Sequence, residues 1–203
     1  MNIFVLLAAI TAFISIIPYS MDAIAGKTRP HRTTWLLLSL LAIGFVYGQI
    51  VSKSYGGGLY LSIAQMIAVM FVFALSIKYG EGGVKTFEIA LLIIAAVSLG
   101  IGIFQKQGDT ILYINIFTGL IAYLPTFVKT WRKPETETLI TWWLGVFGAV
   151  LGLMGSIGSP FSSIVYLSYV LLVNFGVAII IVIRRPVQIN NFINVEMNEN
   201  PIA

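Results

Sequence analysis

The stretch "NIFVLLAAITAFISIIPY", residues 2–19, constrains this chain more than any other feature. A helix needs about 20 apolar residues to cross a bilayer, and a chain rich in such runs cannot expose them to water. Comparable runs recur, with bounds at about 2–19, 34–51, 58–77, 87–104, 111–128, 139–157 and 161–183, which predicts seven membrane spans. Charged or glycine-rich punctuation separates them, as in "KSYGGG", "KYGEGGVK" and "KTWRKPETE". The mean hydropathy of +0.94 agrees with an all-α membrane protein. The first run has no preceding basic segment and no small-residue cleavage site, so it reads as a retained span and not as a signal peptide. The stretch from residue 186 to 203 is polar and is expected to be disordered.

Seven spans place successive loops on alternate sides of the membrane. One side then carries Lys27, Arg29, Arg32, Lys78, Lys85, Lys129, Arg132, Lys133, Arg184 and Arg185, and the other carries only Lys53 and Lys106. Basic residues concentrate on the cytoplasmic side, so the N-terminus is expected outside and the C-terminus inside a cell membrane. The same topology accounts for the net charge of +4 without a nucleic-acid partner.

A shift of 107 residues lays Thr11, Pro18, Thr34, Trp35 and Gly48 on Thr118, Pro125, Thr141, Trp142 and Gly155. A shift of 106 lays "YLS" at Tyr60 on "YLS" at Tyr166, and Lys78 on Arg184. The expectation is a duplication of three helices. Residues 1–78 form the first repeat, 79–106 a linker helix and 107–185 the second repeat. Three helices reverse the chain's direction across the membrane, and the fourth restores it. The repeats are therefore parallel, related by an axis along the membrane normal.

This 3+1+3 plan, with Pro18 and Pro125 near the basic ends of matching helices, resembles the SWEET, SemiSWEET and PQ-loop superfamily. The loops "GKTRPHRTTW" and "KPETETLITWW" resemble those of prokaryotic multi-pass membrane proteins near that group. The family's Pro-Gln pair is absent, since Tyr19 follows Pro18 and Thr126 follows Pro125. The resemblance implies a substrate held between two three-helix bundles, with Pro18 and Pro125 as hinges. It also implies a role for Asn174, because such transporters carry an asparagine in this helix; the matching residue in the first repeat is Ala68.

The residues alone single out three amides, Gln65, Asn115 and Asn174. Each lies well inside an apolar run, where an amide is costly unless hydrogen-bonded. They are the candidate substrate-binding groups, with interhelical bonding as the alternative. Thr11 and Thr118 join them as candidates for the same cavity, although a threonine also satisfies itself on its own helix. Trp35, Trp142 and Trp143 fit an aromatic belt at the membrane interface.

No Asp, Glu, His, Lys or Arg lies deep in a span, which favours passive transport over proton coupling and leaves no general base, nucleophile or metal cluster for an enzyme. His31 reads as an interfacial cation, and with no cysteine there is no thiol chemistry. No cofactor or metal is expected. The leading expectation is a facilitator for a small neutral polar solute. The alternative is a non-transporting receptor or assembly protein that docks partners on its basic loops. The lipid bilayer is a partner in either case, and a homo-oligomer is compatible with both. In this cysteine-free chain, Thr136→Cys tests the topology: an impermeant thiol reagent should reach it only from the cytoplasmic side, and labelling of intact cells would reverse the assignment.

Overall fold

The computed structural model describes residues 3–53, 57–83, 86–105 and 107–199, leaving aside the side chains of residues 57, 88, 98, 102, 105 and 186–199. Lys85, Lys106 and the side chain of Glu88 therefore lie outside the described residues. The described chain is helical throughout: α1 Ile3–Ile24, α2 Arg32–Val51, α3 Gly57–Tyr79, α4 Thr86–Gln105, α5 Gly108–Ala122, α6 Leu124–Arg132, α7 Leu139–Gly155 and α8 Phe161–Glu199. A short 3-10 turn, Pro134–Thr136, precedes α7. Helices are what apolar sequence must form where no water is available for the backbone, because each peptide group then bonds within its own segment.

Five segments are long and apolar enough to cross a membrane: Ile3–Ile24, Arg32–Val51, Gly58–Tyr79, Gly108–Arg132 and Phe161–Arg185. Two further apolar helical stretches, Ile89–Ile101 and Leu139–Gly155, are shorter. Large apolar side chains cover the outer surface. On α1 alone Ile3, Ile10, Ile14, Ile17 and Met21 are exposed. Exposed apolar area on this scale suits lipid and not water. The backbone of α8 stays helical to Glu199, through most of the stretch expected to be disordered.

The two matched prolines behave differently. Pro18 lies inside α1, which continues past it without a break. Pro125 sits in the first turn of α6, and the break between α5 and α6 falls at Tyr123. Proline lacks an N–H and crowds the preceding turn, so both a tolerated kink and a fresh helix start are open to it.

Helix α3 packs against both α1 and α2, and α8 packs against α7 and against α5 and α6. The most extensive contacts between these sets run from α1 to α7 and from α2 to α5, and α3 also meets α7 and α8. Glycine permits the first two. A Cβ on Gly48 of α2 would come within 3.0 Å of Leu112 and of the Gly108 carbonyl on α5. A Cβ on Gly155 of α7 would come within 2.8 Å of Val5 on α1. Gly48 and Gly155 differ by 107, and so do Val5 and Leu112. Helix α4 packs on α2 and α5. One core of buried side chains, including Ala8, Leu41, Leu61, Leu112, Ala149 and Leu167, runs through both sets.

The loops at one end of the bundle are held together by backbone hydrogen bonds. Glu81 donates its N–H to the Pro30 carbonyl, and Arg32 donates its own to the Glu81 carbonyl, at 2.9 and 3.0 Å. The Arg32 guanidinium adds bonds to the carbonyls of Ser76 and Gly80 at the end of α3, where a cation suits the helix dipole. Arg185 plays a similar part later, donating to the carbonyls of Pro134 and Glu137. We expect Gly48→Ala and Gly155→Ala each to destabilise the fold by about 1–3 kcal/mol through overpacking. Gly100→Ala on α4, where a Cβ meets open space, should cost nothing. Thermal unfolding in detergent reads all three.

Candidate functional site

A cavity of about 100 Å³ lies among α1, α2, α3, α7 and α8, with Tyr123 of the α5–α6 junction also in its wall. A water needs roughly 10–15 Å³ of such space, so it holds several waters or a small solute. Its walls are largely aromatic and aliphatic, formed by Trp35, Phe45, Tyr123, Trp142, Tyr166 and Tyr169 among others. The polar groups facing it include the amides of Gln65 and Asn174.

These two amides come from α3, which carries Gln65, and α8, which carries Asn174. The Gln65 Oε1 accepts a hydrogen bond from the Tyr166 hydroxyl at 3.0 Å, which leaves its NH2 group to be used elsewhere. The Asn174 Nδ2 donates to the Val170 carbonyl one turn back, at 2.7 Å. Its Oδ1 lies where a Cβ on Gly145 would stand, 2.1 Å from that position. A glycine on α7 is thus what lets the amide lie against the facing helix. Thr141, one turn before Gly145, has a buried hydroxyl with no partner and also lines the cavity.

The other three candidates are elsewhere. Asn115 is buried between α5 and α2, where its Nδ2 donates to the Leu41 carbonyl at 3.4 Å and its side chain occupies the space beside Gly44. The Thr11 hydroxyl bonds its own helix at Leu7, 2.7 Å away, and the residue packs beside Gly148. Thr118 is buried on α5 with an unpartnered hydroxyl and is not among the cavity's lining residues. Pro18 and Pro125 lie near the basic end and do not line the cavity either.

Two features escaped the sequence reading. Trp35 and Trp142, which fit an interfacial belt, both face the cavity, and Trp142 is buried. Each ring meets a tyrosine, Tyr19 with Trp35 at 5.3 Å and Tyr123 with Trp142 at 6.4 Å between centroids. Their 17-residue distance from matched prolines was the available signal, since it puts both rings at one depth.

The second feature is Glu137. It lies in a loop, as expected of this chain's carboxylates, yet it is only 2% exposed. Lys129 Nζ bonds its Oε1 at 3.0 Å, and Trp142 Nε1 donates to its Oε2 at 3.2 Å. Burial pushes its carboxyl above the ordinary range, and the charge and hydrogen bond of Lys129 pull against that rise.

At the opposite end of the bundle, Gln49 Nε2 donates to Ser62 Oγ at 2.8 Å, joining α2 to α3. Gly58 faces both Gln49 and Ser163 of α8, and nearby Ser52 donates to Asp109 Oδ1 at 2.8 Å, so small polar groups dominate the packing of this end. Among the described residues no group of His, Cys, Asp and Glu side chains is arranged to hold a metal. Comparison with family models, with curated proteins and with solved structures finds no match for the chain.

If Asn115 is an interhelical fastener, Asn115→Ala should cost about 1–3 kcal/mol by leaving a void beside Gly44 and removing the bond to α2. Thr118→Val should be neutral or stabilising, because it removes a buried hydroxyl that bonds nothing. Urea or thermal unfolding in detergent distinguishes the two.

Proposed function

We propose that this chain is a SWEET/PQ-loop-like facilitator that moves a small neutral polar solute across the cell membrane by alternating access. Helices α1–α3 form one repeat and α5–α8 the other, with α5 and α6 together acting as one kinked span and α4 as the linker. The N-terminus lies outside and the basic end lies in the cytoplasm. Support for the repeats comes from the reciprocal pairs Gly48 with Leu112 and Gly155 with Val5, which a parallel two-fold relation would generate.

The observation that carries the functional reading is the cavity between the two sets of helices, lined by Gln65 and Asn174. Each amide offers a donor and an acceptor without the desolvation cost of a charge, which suits a neutral hydroxylic or amide-bearing solute. The aromatic rings supply apolar faces on either side.

Reconstituted vesicles tested against a panel of neutral solutes give the direct measurement. Asn174→Ala should abolish uptake while leaving folded protein in the membrane. Gln65→Ala should weaken uptake, and Glu88→Gln should leave it nearly unchanged. An Asn174→Ala protein that melts earlier but transports normally per folded molecule would make the asparagine a structural bond.

A further inference from the structure

We propose that Glu137 is a proton-binding site that controls the basic end of the cavity, holding that end shut when protonated and releasing it when ionised. The proposal takes the cavity as the transport path and so rests on the reading above.

The geometry starts from the carboxylate itself. Its Oε2 holds Trp142, whose ring is part of the cavity wall, and its Oε1 holds Lys129 on α6. Glu137 is therefore a direct link between the cavity and the basic end. Lys129 then reaches across to the other set of helices. It donates to the Arg29 carbonyl in the α1–α2 connection and lies 3.9 Å from Glu81 in the α3–α4 connection. Beside it, Thr28 donates to Thr138 at 2.7 Å, and Thr138 donates to Asp22 of α1 at 2.8 Å. The Lys129 contacts with Arg29 and Glu81 and the Thr28–Thr138–Asp22 chain cross between the two sets, whereas the carboxylate's own bonds to Lys129 and Trp142 stay within one. Moving the sets apart at this end breaks the crossing contacts and uncovers the side of Glu137 that Tyr19 of α1 now faces.

The groups facing Glu137 decide which protonation state each arrangement prefers. Lys129 approaches from α6, where it is 10% exposed and shared with Glu81. Tyr19 approaches from α1, Tyr123 from the α5–α6 junction, Trp142 from α7 and Glu81 from the α3–α4 connection, while Asp22 of α1 takes the hydroxyl of the neighbouring Thr138. Arg185 of α8 bonds the Glu137 backbone carbonyl and not its carboxylate. One shared ammonium does not offset the burial, so the enclosed carboxyl binds its proton more tightly than a hydrated one, whose ordinary value is 4.5.

The sign follows by linkage. Below the ordinary value both arrangements are protonated and pH exerts no pull. As pH climbs from there through the raised value, the ionised form favours the hydrated, open arrangement. Acid therefore keeps the basic end closed, and alkalinity opens it. The absence of charge from the middle of the spans does not make the pathway insensitive to protons, because the titrating group sits at its mouth.

The test requires no solute. A single cysteine at Ser15, which lines the cavity on α1, reports access from the basic side to an impermeant thiol reagent in reconstituted vesicles. Labelling rates are divided by those of Lys133→Cys in the exposed loop, which corrects for a solvated thiol, and the Ser15→Cys thiol's own titration is common to all variants and cancels in their comparison. The normalised rate should rise several-fold between about pH 5 and about pH 8. Glu137→Gln should stay at the low-pH rate throughout. Lys129→Gln, which removes the offsetting ammonium, should move the rise to higher pH, and this shift decides the matter if Glu137→Gln does not fold. One common profile in all three proteins, or a rate that falls with pH, overturns the proposal. A solute panel with no transported member would refute the transport reading but leave a shifted labelling profile standing. Transport with a flat profile would refute this proposal alone.

Discussion

The close approach of α1 to α7 and of α2 to α5 is the constraint on which the rest depends. Both contacts need a glycine at the crossing, because a side chain there would meet a facing Val5 or Leu112. In lipid the hydrophobic effect does not draw helices together, so packing of this kind carries much of the association. Once the two crossings are made, α3 and α8 are brought face to face across the centre. That is where Gln65 and Asn174 share one space. Gly145 completes the arrangement by clearing room for the Asn174 carbonyl oxygen.

The two ends of the bundle are closed by different chemistry. At one end, Gln49, Ser62 and Ser163 pack around Gly58 with no ionised group among them. At the other, Lys129, Glu137, Glu81 and Asp22 lie with Thr28 and Thr138. Neutral contacts respond little to salt or pH, whereas a partly buried ion cluster responds to both. Among the described residues the interhelical charge cluster lies at one end, while the other end's carboxylate, Asp109, takes a single hydroxyl bond from Ser52.

Helix positions were readable from apolar run lengths, and most predicted bounds fall within a few residues of the helices found. Gln65 and Asn174 were readable because an amide inside an apolar run has few inexpensive alternatives. Asn115 gave the same signal for a different reason, since it bonds the Leu41 backbone. Side-chain type does not reveal which face of a helix a residue occupies when both faces are apolar. Trp35 and Trp142 were hidden by the preference of indoles for interfaces, which is satisfied here at the inner wall. Glu137 was hidden more deeply. A loop residue is ordinarily solvated, and only the folding of the Pro134–Thr136 turn onto the ends of neighbouring helices encloses it.

A last consequence concerns the two prolines. The same residue at matched positions has produced an unbroken α1 through Pro18 and a discontinuity at Tyr123 just before Pro125. At that step Tyr123 still donates to the Gly119 carbonyl and still accepts from Phe127, so the chain stays on a helical path through the break. Pro18 is absorbed in the interior of a helix and Pro125 opens a new one, and Lys129 lies on the short segment that follows.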